Sequence, residues 1–141
     1  MNGGTGRSGA VRSLALWGPV VLHMALIFGM SSVSHPPALP GRDLDKLVHA
    51  VLYAGLSALL VRALAGGWQR PVTLRIAVLA AALATMYGVS DEIHQAFVPP
   101  RESDPRDLVA DGIGAALAAG GMYAGIIRGP GNTVGPDGRD A

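Results

Sequence analysis

Four long runs without Asp, Glu, Lys or Arg constrain this chain more than any other feature. They cover residues 14–30, 47–61, 76–90 and 112–127. At about 1.5 Å of helix rise per residue, each of the last three runs extends roughly 22–25 Å, a little less than a hydrocarbon core about 30 Å thick. Length alone therefore leaves these three runs open to two readings, a membrane span or a buried helix of a soluble bundle.

The pattern within the runs favours the membrane. Residues 76–84 and 115–122 carry no polar stripe, whereas a soluble amphipathic helix has one opposite its apolar face. Four helices that are apolar all round cannot cover one another in a chain of 141 residues. Only 15% of the residues are charged, against about 25% in a typical soluble domain. The sequence therefore predicts an all-α polytopic membrane protein, a bundle of four transmembrane helices surrounded by the lipid bilayer.

The predicted organisation is a short cytoplasmic segment at residues 1–13, a four-helix membrane domain at residues 14–127, and a disordered cytoplasmic tail at residues 128–141. Arg7 and Arg12 precede the first apolar run, as in a secretory signal peptide. The run is longer than a usual signal core and no small-x-small cleavage site follows it. The prediction keeps this run as a span and leaves a cleaved leader as the alternative.

Charge and cysteine content exclude several functions. A net charge of +1 argues against a nucleic-acid partner. The absence of cysteine excludes disulfides, thiolate catalysis, zinc fingers and iron–sulfur clusters. The sequence contains no H-E-x-x-H string and no P-loop. It gives no oligomeric state.

Basic residues predict the orientation. Seven lie at the termini and in the second connection, and four lie in the first and third connections. The larger group is Arg7, Arg12, Arg62, Arg70, Arg75, Arg128 and Arg139; the smaller is Arg42, Lys46, Arg101 and Arg106. By the positive-inside rule, both termini are cytoplasmic and the first and third connections lie outside.

Acidic residues are still more asymmetric. Eight of the ten in the chain belong to the first and third connections or to the adjoining helix ends. They are Asp43, Asp45, Asp91, Glu92, Glu102, Asp104, Asp107 and Asp111. With His49 and His94, nearly all titratable side chains are predicted to lie on the outer membrane face.

The polar residues next to and inside the apolar runs follow helical spacing. Asp45, His49 and Tyr53 lie four residues apart and share one face of the second helix, with Lys46 beside them. Asp91, His94 and Gln95 share a face at the end of the third helix, next to Glu92, and Asp107 and Asp111 lead into the fourth. Ionisable groups at membrane depth usually face a bundle interior or a watery cavity. We expect a polar pocket that opens outward, walled by three helices and covered by residues 98–106, with Arg101 placed over the carboxylates.

Each of these residues also has a purely structural interpretation. His49 can bond to a neighbouring helix, Tyr53 can pack with its hydroxyl satisfied, and Asp107 can cap the fourth helix. His23 lies alone in an aliphatic run and is interpreted as structural. The convergence of two histidines, several carboxylates, an arginine and a tyrosine favours a functional site over helix-to-helix bonding alone.

Three strings in order resemble the VanZ-like family. They are Asp45-Lys46-x-x-His49-x-x-x-Tyr53, Ser90-Asp91-Glu92-x-His94-Gln95-x-Phe97-x-Pro99-x-Arg101 and Asp104-x-x-Asp107-x-x-x-Asp111-x-x-Gly114. One departure is Pro99-Pro100-Arg101, where the family commonly has Pro-Gly-Arg. The resemblance implies a small protein of the bacterial cytoplasmic (inner) membrane, related to one that confers low-level teicoplanin resistance. It implies no agreed reaction.

Two classes of function remain open. In the first, a non-catalytic envelope protein binds a lipid headgroup, a lipid-linked or cell-wall precursor, or a partner membrane protein through the residues Asp45, Lys46, Tyr53, Gln95, Arg101, Asp107 and Asp111. Ion or proton transport is disfavoured, because four short helices make a poor pathway unless the protein is oligomeric. In the second, a membrane-embedded hydrolase or transferase uses His49, Asp91, Glu92 and His94 as acid–base groups or as ligands of a divalent metal. No serine or cysteine nucleophile motif accompanies them.

Overall fold

The chain is all-helical in the computed structural model, which describes residues 4–34, 44–101 and 103–125. Four helices follow one another: α1 (Gly4–Ser31), α2 (Leu44–Ala65), α3 (Leu74–Gln95) and α4 (Pro105–Tyr123). No strand occurs within these ranges. The predicted tail at residues 128–141 lies outside the described residues, as do Arg42, Asp43 and Glu102.

The helix boundaries follow from capping chemistry. Thr73 caps α3, its hydroxyl accepting the Ile76 N–H at 3.3 Å. Asp104 caps α4, its carboxylate accepting the Arg106 N–H at 2.9 Å, and Pro105 occupies the first helical position. The capping role weighed for Asp107 thus belongs to Asp104, which leaves the Asp107 side chain free to turn into the bundle.

The first helix extends beyond the predicted span. The apolar run predicts a start at Leu14, but α1 begins at Gly4 and continues through Pro19. Proline has no N–H, so the carbonyl four residues earlier, that of Ala15, loses its helical partner. The Arg62 guanidinium of α2 donates to that carbonyl at 3.0 Å, and to the Leu16 carbonyl at 3.3 Å. A cationic side chain therefore satisfies backbone acceptors that the proline exposes.

Contacts between the helices define an alternating up-and-down bundle. His23 bonds the Leu52 carbonyl at 2.9 Å, and Arg62 reaches Ala15, so α1 and α2 are antiparallel. His49 contacts Asp111, and Ser57 donates to the Ala115 carbonyl at 2.9 Å, so α2 and α4 are parallel. One end of the bundle therefore combines the C-termini of α1 and α3 with the N-termini of α2 and α4.

Glycine makes the α2–α4 contact close. A Cβ on Gly114 would overlap the carbonyl group and Cα of Ala50 on α2. Ala115, Ala118 and Ala119 continue the buried face of α4. Small residues let helix backbones approach, which is the usual way in which helices pack in a bilayer.

The outer surface of the bundle is apolar on all four helices. Leu14 and Leu22 on α1 are each 73% exposed, and Leu117 on α4 is 70% exposed. On α4, Val109, Ile113 and Leu117 form an exposed line at four-residue spacing. Exposed apolar surface of this extent is typical of a protein embedded in lipid.

Three of the four helices are long and apolar enough to cross a membrane. They are the segments Ser8–Ser31, Leu44–Ala65 and Leu74–Gln95. Of the four predicted spans, these three are confirmed as helices that have the length and composition of a membrane span. The fourth helix does not qualify on its own composition, because Arg106, Asp107 and Asp111 occupy its first two turns and it ends at Tyr123.

Gly114→Ala should destabilise the bundle by about 1–3 kcal/mol, because the new methyl group overlaps the α2 backbone, which cannot rotate away. Thermal unfolding of the purified protein in detergent measures the effect. Gly120→Ala is the matched control on the same helix: a Cβ there meets nothing within 4 Å, and the change should be neutral or slightly stabilising. Equal melting temperatures for the two variants would contradict the close α2–α4 contact.

Candidate functional site

A cluster of charged and polar side chains fills the end of the bundle where α2 and α4 begin and α3 ends. We call it the acidic cluster. Its members are Asp45, Lys46, His49, Tyr53, Glu92, Asp104, Asp107 and Asp111. Every one of them is either a candidate site residue from the sequence or, for Asp104, the capping residue of α4.

Lys46 joins α2 to the beginning of α4. Its ammonium nitrogen lies 2.9 Å from Asp45 Oδ2, 2.9 Å from Asp104 Oδ2 and 2.6 Å from Asp107 Oδ1. The pKa of the exposed Asp104 carboxyl lies below its ordinary value, because the Arg106 backbone N–H and the Lys46 ammonium both favour the charged form. One cation thus holds three carboxylates from two helices.

His49 is oriented by a buried carboxylate. Its Nδ1 lies 2.9 Å from Asp111 Oδ1, and the Asp111 side chain is only 1% exposed. In the neutral imidazole, a proton on Nδ1 donates to this carboxylate and the lone pair then lies on Nε2. Nε2 lies 3.7 Å from Asp107 Oδ2, beyond hydrogen-bond range. The imidazole is therefore fixed on one side and free on the other.

Several buried polar atoms of the cluster have no hydrogen-bond partner among the described residues. They include the Tyr53 hydroxyl, Glu92 Oε1 and Asp111 Oδ2. Tyr53 is fully buried, and its ring is parallel to that of His49 at 6.4 Å between centroids. Gly88 leaves room here, because a Cβ at that position would lie 2.8 Å from Asp111 Oδ2. Such unpaired groups are costly to bury and rarely serve packing alone.

A second group of polar residues lies against α1, and we call it the α1 cluster. Asp91 Oδ2 accepts from the Ser31 hydroxyl at 2.7 Å and from the Gln95 amide at 3.0 Å. His94 Nε2 lies 3.0 Å from the Ser32 hydroxyl, and its ring centroid is 4.4 Å from that of Phe28. These contacts fasten the end of α3 to the end of α1.

Arg101 also contacts α1. Its guanidinium donates to the carbonyl oxygens of Met30 at 3.1 Å and Ser31 at 3.3 Å, where α1 has run out of helical N–H partners. The sequence analysis placed Arg101 over the carboxylates; instead it caps a helix. The loop after α3 is anchored to the acidic cluster through the Asp104 N–H, which donates to Glu92 Oε2 at 3.0 Å.

The direct contacts of the candidate site residues fall into two groups, and Asp91 also lies close enough to Tyr53 and Asp111 of the acidic cluster to interact with them electrostatically. Lys46, His49, Tyr53, Glu92, Asp107 and Asp111 come together with Asp45 in the acidic cluster, whereas Asp91, His94, Gln95 and Arg101 belong to the α1 cluster. Asp91 and Glu92 are chain neighbours that face different helices. Sequence reasoning missed Ser31, Ser32 and Asp104 as partners; two adjacent serines ending a long apolar run were the available signal.

The acidic cluster has donors suited to a metal ion. His49, Glu92 and Asp107 each offer one ligand atom, and these atoms all lie within 4.8 Å of one another. Imidazole with carboxylates is a donor set for divalent first-row metals. The same arrangement can also serve proton transfer, since a buried carboxylate that orients a histidine is the pattern of general-base sites.

Charges are segregated between the two ends of the bundle. The acidic cluster occupies one end, and Arg12 and Arg62 lie at the other, where Arg12 donates to the Gly66 carbonyl at 3.3 Å. Arg62 also lies over the Trp68 ring, 5.6 Å from its centroid. This opposite placement of charge is the strongest structural indication of which end faces which side.

Comparison with known proteins identifies one relationship. A family model described as VanZ/LLP1 matches residues 8–128, which covers the three motif strings, α2 to α4 and all of α1 except residues 4–7. The resemblance to the VanZ-like family is therefore confirmed. The curated proteins and the solved structures contain no match to this chain.

Proposed function

Because this chain belongs to the VanZ/LLP1 family, we propose that it is a multi-pass protein of the bacterial cytoplasmic membrane whose acidic cluster binds a lipid-linked or cell-wall-related ligand from the extracytoplasmic side. The family resemblance further suggests a contribution to teicoplanin resistance. The observation that carries the proposal is the set of buried, unpaired polar atoms on Tyr53, Glu92 and Asp111 at one end of a lipid-facing bundle.

Four crossings fit the packing better than three. The fourth helix runs parallel to α2, is about 28 Å long at 19 residues, and presents an apolar line to the outside. Its carboxylates Asp107 and Asp111 turn inward to Lys46 and His49, so two of the three charges that disqualify it by composition are kept away from lipid. The third, Arg106, is exposed in the first turn of the helix. Both termini then lie in the cytoplasm, beside the arginine-rich end.

The acidic cluster contains more buried polar atoms than the packing of α2 against α4 requires. A helix pair needs one or two hydrogen bonds to fix its register, and Ser57 with Ala115 already supplies one. The acidic cluster adds five carboxylates and a histidine, and buried atoms of Tyr53, Glu92 and Asp111 have no hydrogen-bond partner within the described ranges. Burial without partners costs about 1–3 kcal/mol per group, so a ligand that pairs with them recovers that energy as affinity.

A second function, hydrolysis or group transfer, is favoured by one specific contact. The bond between His49 Nδ1 and the buried Asp111 leaves Nε2 available as a general base beside the carboxylates of Glu92 and Asp107. At this site the general base could activate water for attack on a substrate, and a covalent route would have to use an aspartate or a histidine as the nucleophile.

The topology makes a labelling prediction. A cysteine introduced at Ser103, beside the acidic cluster, should react with a membrane-impermeant maleimide in intact cells, because the acidic end lies outside. A cysteine at Gly67, in the connection at the arginine-rich end, is the matched control and should react only after the membrane is opened. Protection at position 103 together with labelling at position 67 would invert the orientation, and labelling at neither would contradict a bundle that crosses the membrane.

Two tyrosine variants test ligand binding against stability. Tyr53→Phe removes a buried hydroxyl without a partner, so it should lower ligand retention about tenfold, roughly the value of one hydrogen bond of about 1.4 kcal/mol, and leave the melting temperature unchanged or higher. Tyr87→Phe is the matched control: its hydroxyl donates to the Met24 carbonyl at 2.7 Å, so its loss should lower stability and spare the ligand.

The measurement is mass spectrometry of lipids and precursors that co-purify with the protein, normalised to the whole-membrane extract, with melting curves of the same samples. Equal ligand retention by Tyr53→Phe and Tyr87→Phe, or no species enriched by the unsubstituted protein, would contradict the proposal. Teicoplanin susceptibility of expressing cells, read for the same pair, tests the link to resistance.

A further inference from the structure

Three ligand atoms from three different helices face a common point in the acidic cluster. They belong to His49 on α2, Glu92 on α3 and Asp107 on α4, and all lie within 4.8 Å of one another. We propose that these residues hold one divalent transition-metal cation of the Zn²⁺ or Mn²⁺ class. The assignment of this cation to the ligand-binding site rests on the proposed function. Metal binding itself can be measured without any ligand.

The distance between the ligand atoms of His49 and Asp107 fits a cation bound between them better than a hydrogen bond from one to the other. Nε2 of His49 and Oδ2 of Asp107 are 3.7 Å apart, too far for a hydrogen bond between them. A metal ion bound about 2.0–2.2 Å from each of two ligand atoms separates them by this order of distance. When Nδ1 donates to Asp111, the lone pair lies on Nε2, and a neutral imidazole nitrogen of this kind is a metal ligand.

Each of the three ligands is oriented by a contact outside the proposed site. Asp111 holds His49 through Nδ1 at 2.9 Å, the arrangement in which a carboxylate fixes a metal-binding histidine. Lys46 holds Asp107 through Oδ1 at 2.6 Å, which leaves Oδ2 for the site. The Asp104 N–H holds Glu92 through Oε2 at 3.0 Å.

Glu92 supplies an independent sign of a ligand. The residue is 6% exposed, and its Oε1 is buried without a hydrogen-bond partner among the described residues. With Oε2 engaged by the Asp104 backbone, Oε1 is the oxygen left for a cation. A cation placed beside this oxygen would favour the ionised carboxylate, which burial otherwise disfavours.

The charge balance of the cluster calls for such a cation. Five carboxylates share three basic groups, Lys46, His49 and, beside Asp104, Arg106. The carboxylates are those of Asp45, Glu92, Asp104, Asp107 and Asp111. Arg101, the nearest cation that sequence analysis offered, donates to carbonyls of α1 instead. A divalent ion would remove two of the excess negative charges, and its remaining coordination positions would be open to oxygen atoms of the bound ligand.

The experiment uses the full-length protein, freed of any polyhistidine tag, stripped with chelator and titrated in detergent with Zn²⁺ alone and, in parallel, with Mn²⁺ alone. Calorimetry and elemental analysis should give one ion per chain for at least one of the two metals. Glu92→Gln and His49→Gln should each weaken binding by at least about 100-fold. His94→Gln is the matched control, since His94 lies in the α1 cluster, and it should bind as the unsubstituted protein does.

A melting-temperature measurement on the unsubstituted protein tests the metal site even if the variants fail to fold. The metal should raise its melting temperature in a concentration-dependent way, because an ion that binds only the folded state stabilises it. Absence of stoichiometric binding of both metals, or an equal loss for His94→Gln and His49→Gln, would overturn the metal site. If metal binding fails while Tyr53→Phe still releases the ligand, only this inference falls; if metal binds but no ligand is enriched, only the proposed function falls.

Discussion

The contact between His49 and Asp111 is the interaction on which the rest of the structure depends. It joins α2 to α4 inside an apolar bundle, where the Asp111 side chain is 1% exposed and the His49 side chain 14% exposed. The close approach that permits it comes from Gly114 packing on the Ala50 backbone one turn further along the helices. The His49–Asp111 contact and the packing of Gly114 thus fix the same register of α2 against α4. This register also determines where Lys46 and Tyr53 lie.

Helical spacing in the sequence predicted most of the acidic cluster. His49, Tyr53 and Asp111 lie on the polar stripes that the sequence indicates, and the structure brings those stripes together. Spacing defines the face of a helix but not its neighbour, which explains why Asp91, His94 and Arg101 were placed in the same pocket when they contact α1. Their partners, Ser31 and Ser32, are neutral and gave too weak a signal beside the charged residues.

The fourth helix is where pattern and composition disagree, since its apolar run predicted a span and the composition of α4 does not qualify as one. Composition judges each helix alone, and Arg106, Asp107 and Asp111 make α4 look too polar to span. Packing changes the meaning of those charges, since the two carboxylates are turned inward and paired while the outward side chains are apolar. The Pro19 position in α1 is similar: the arginine that satisfies the exposed carbonyls comes from another helix, so no local pattern could predict it.

A double-mutant cycle on His49 and Asp111 tests the central claim most directly. The free energy of unfolding of the metal-free protein is measured for His49→Gln, Asp111→Asn and the double variant in the same detergent. A buried, directly bonded pair predicts a coupling energy of about 1–3 kcal/mol, with the double variant much less destabilised than the sum of the two single variants. Additive effects, within about 0.3–0.5 kcal/mol, would show that the two side chains do not meet and would contradict the account.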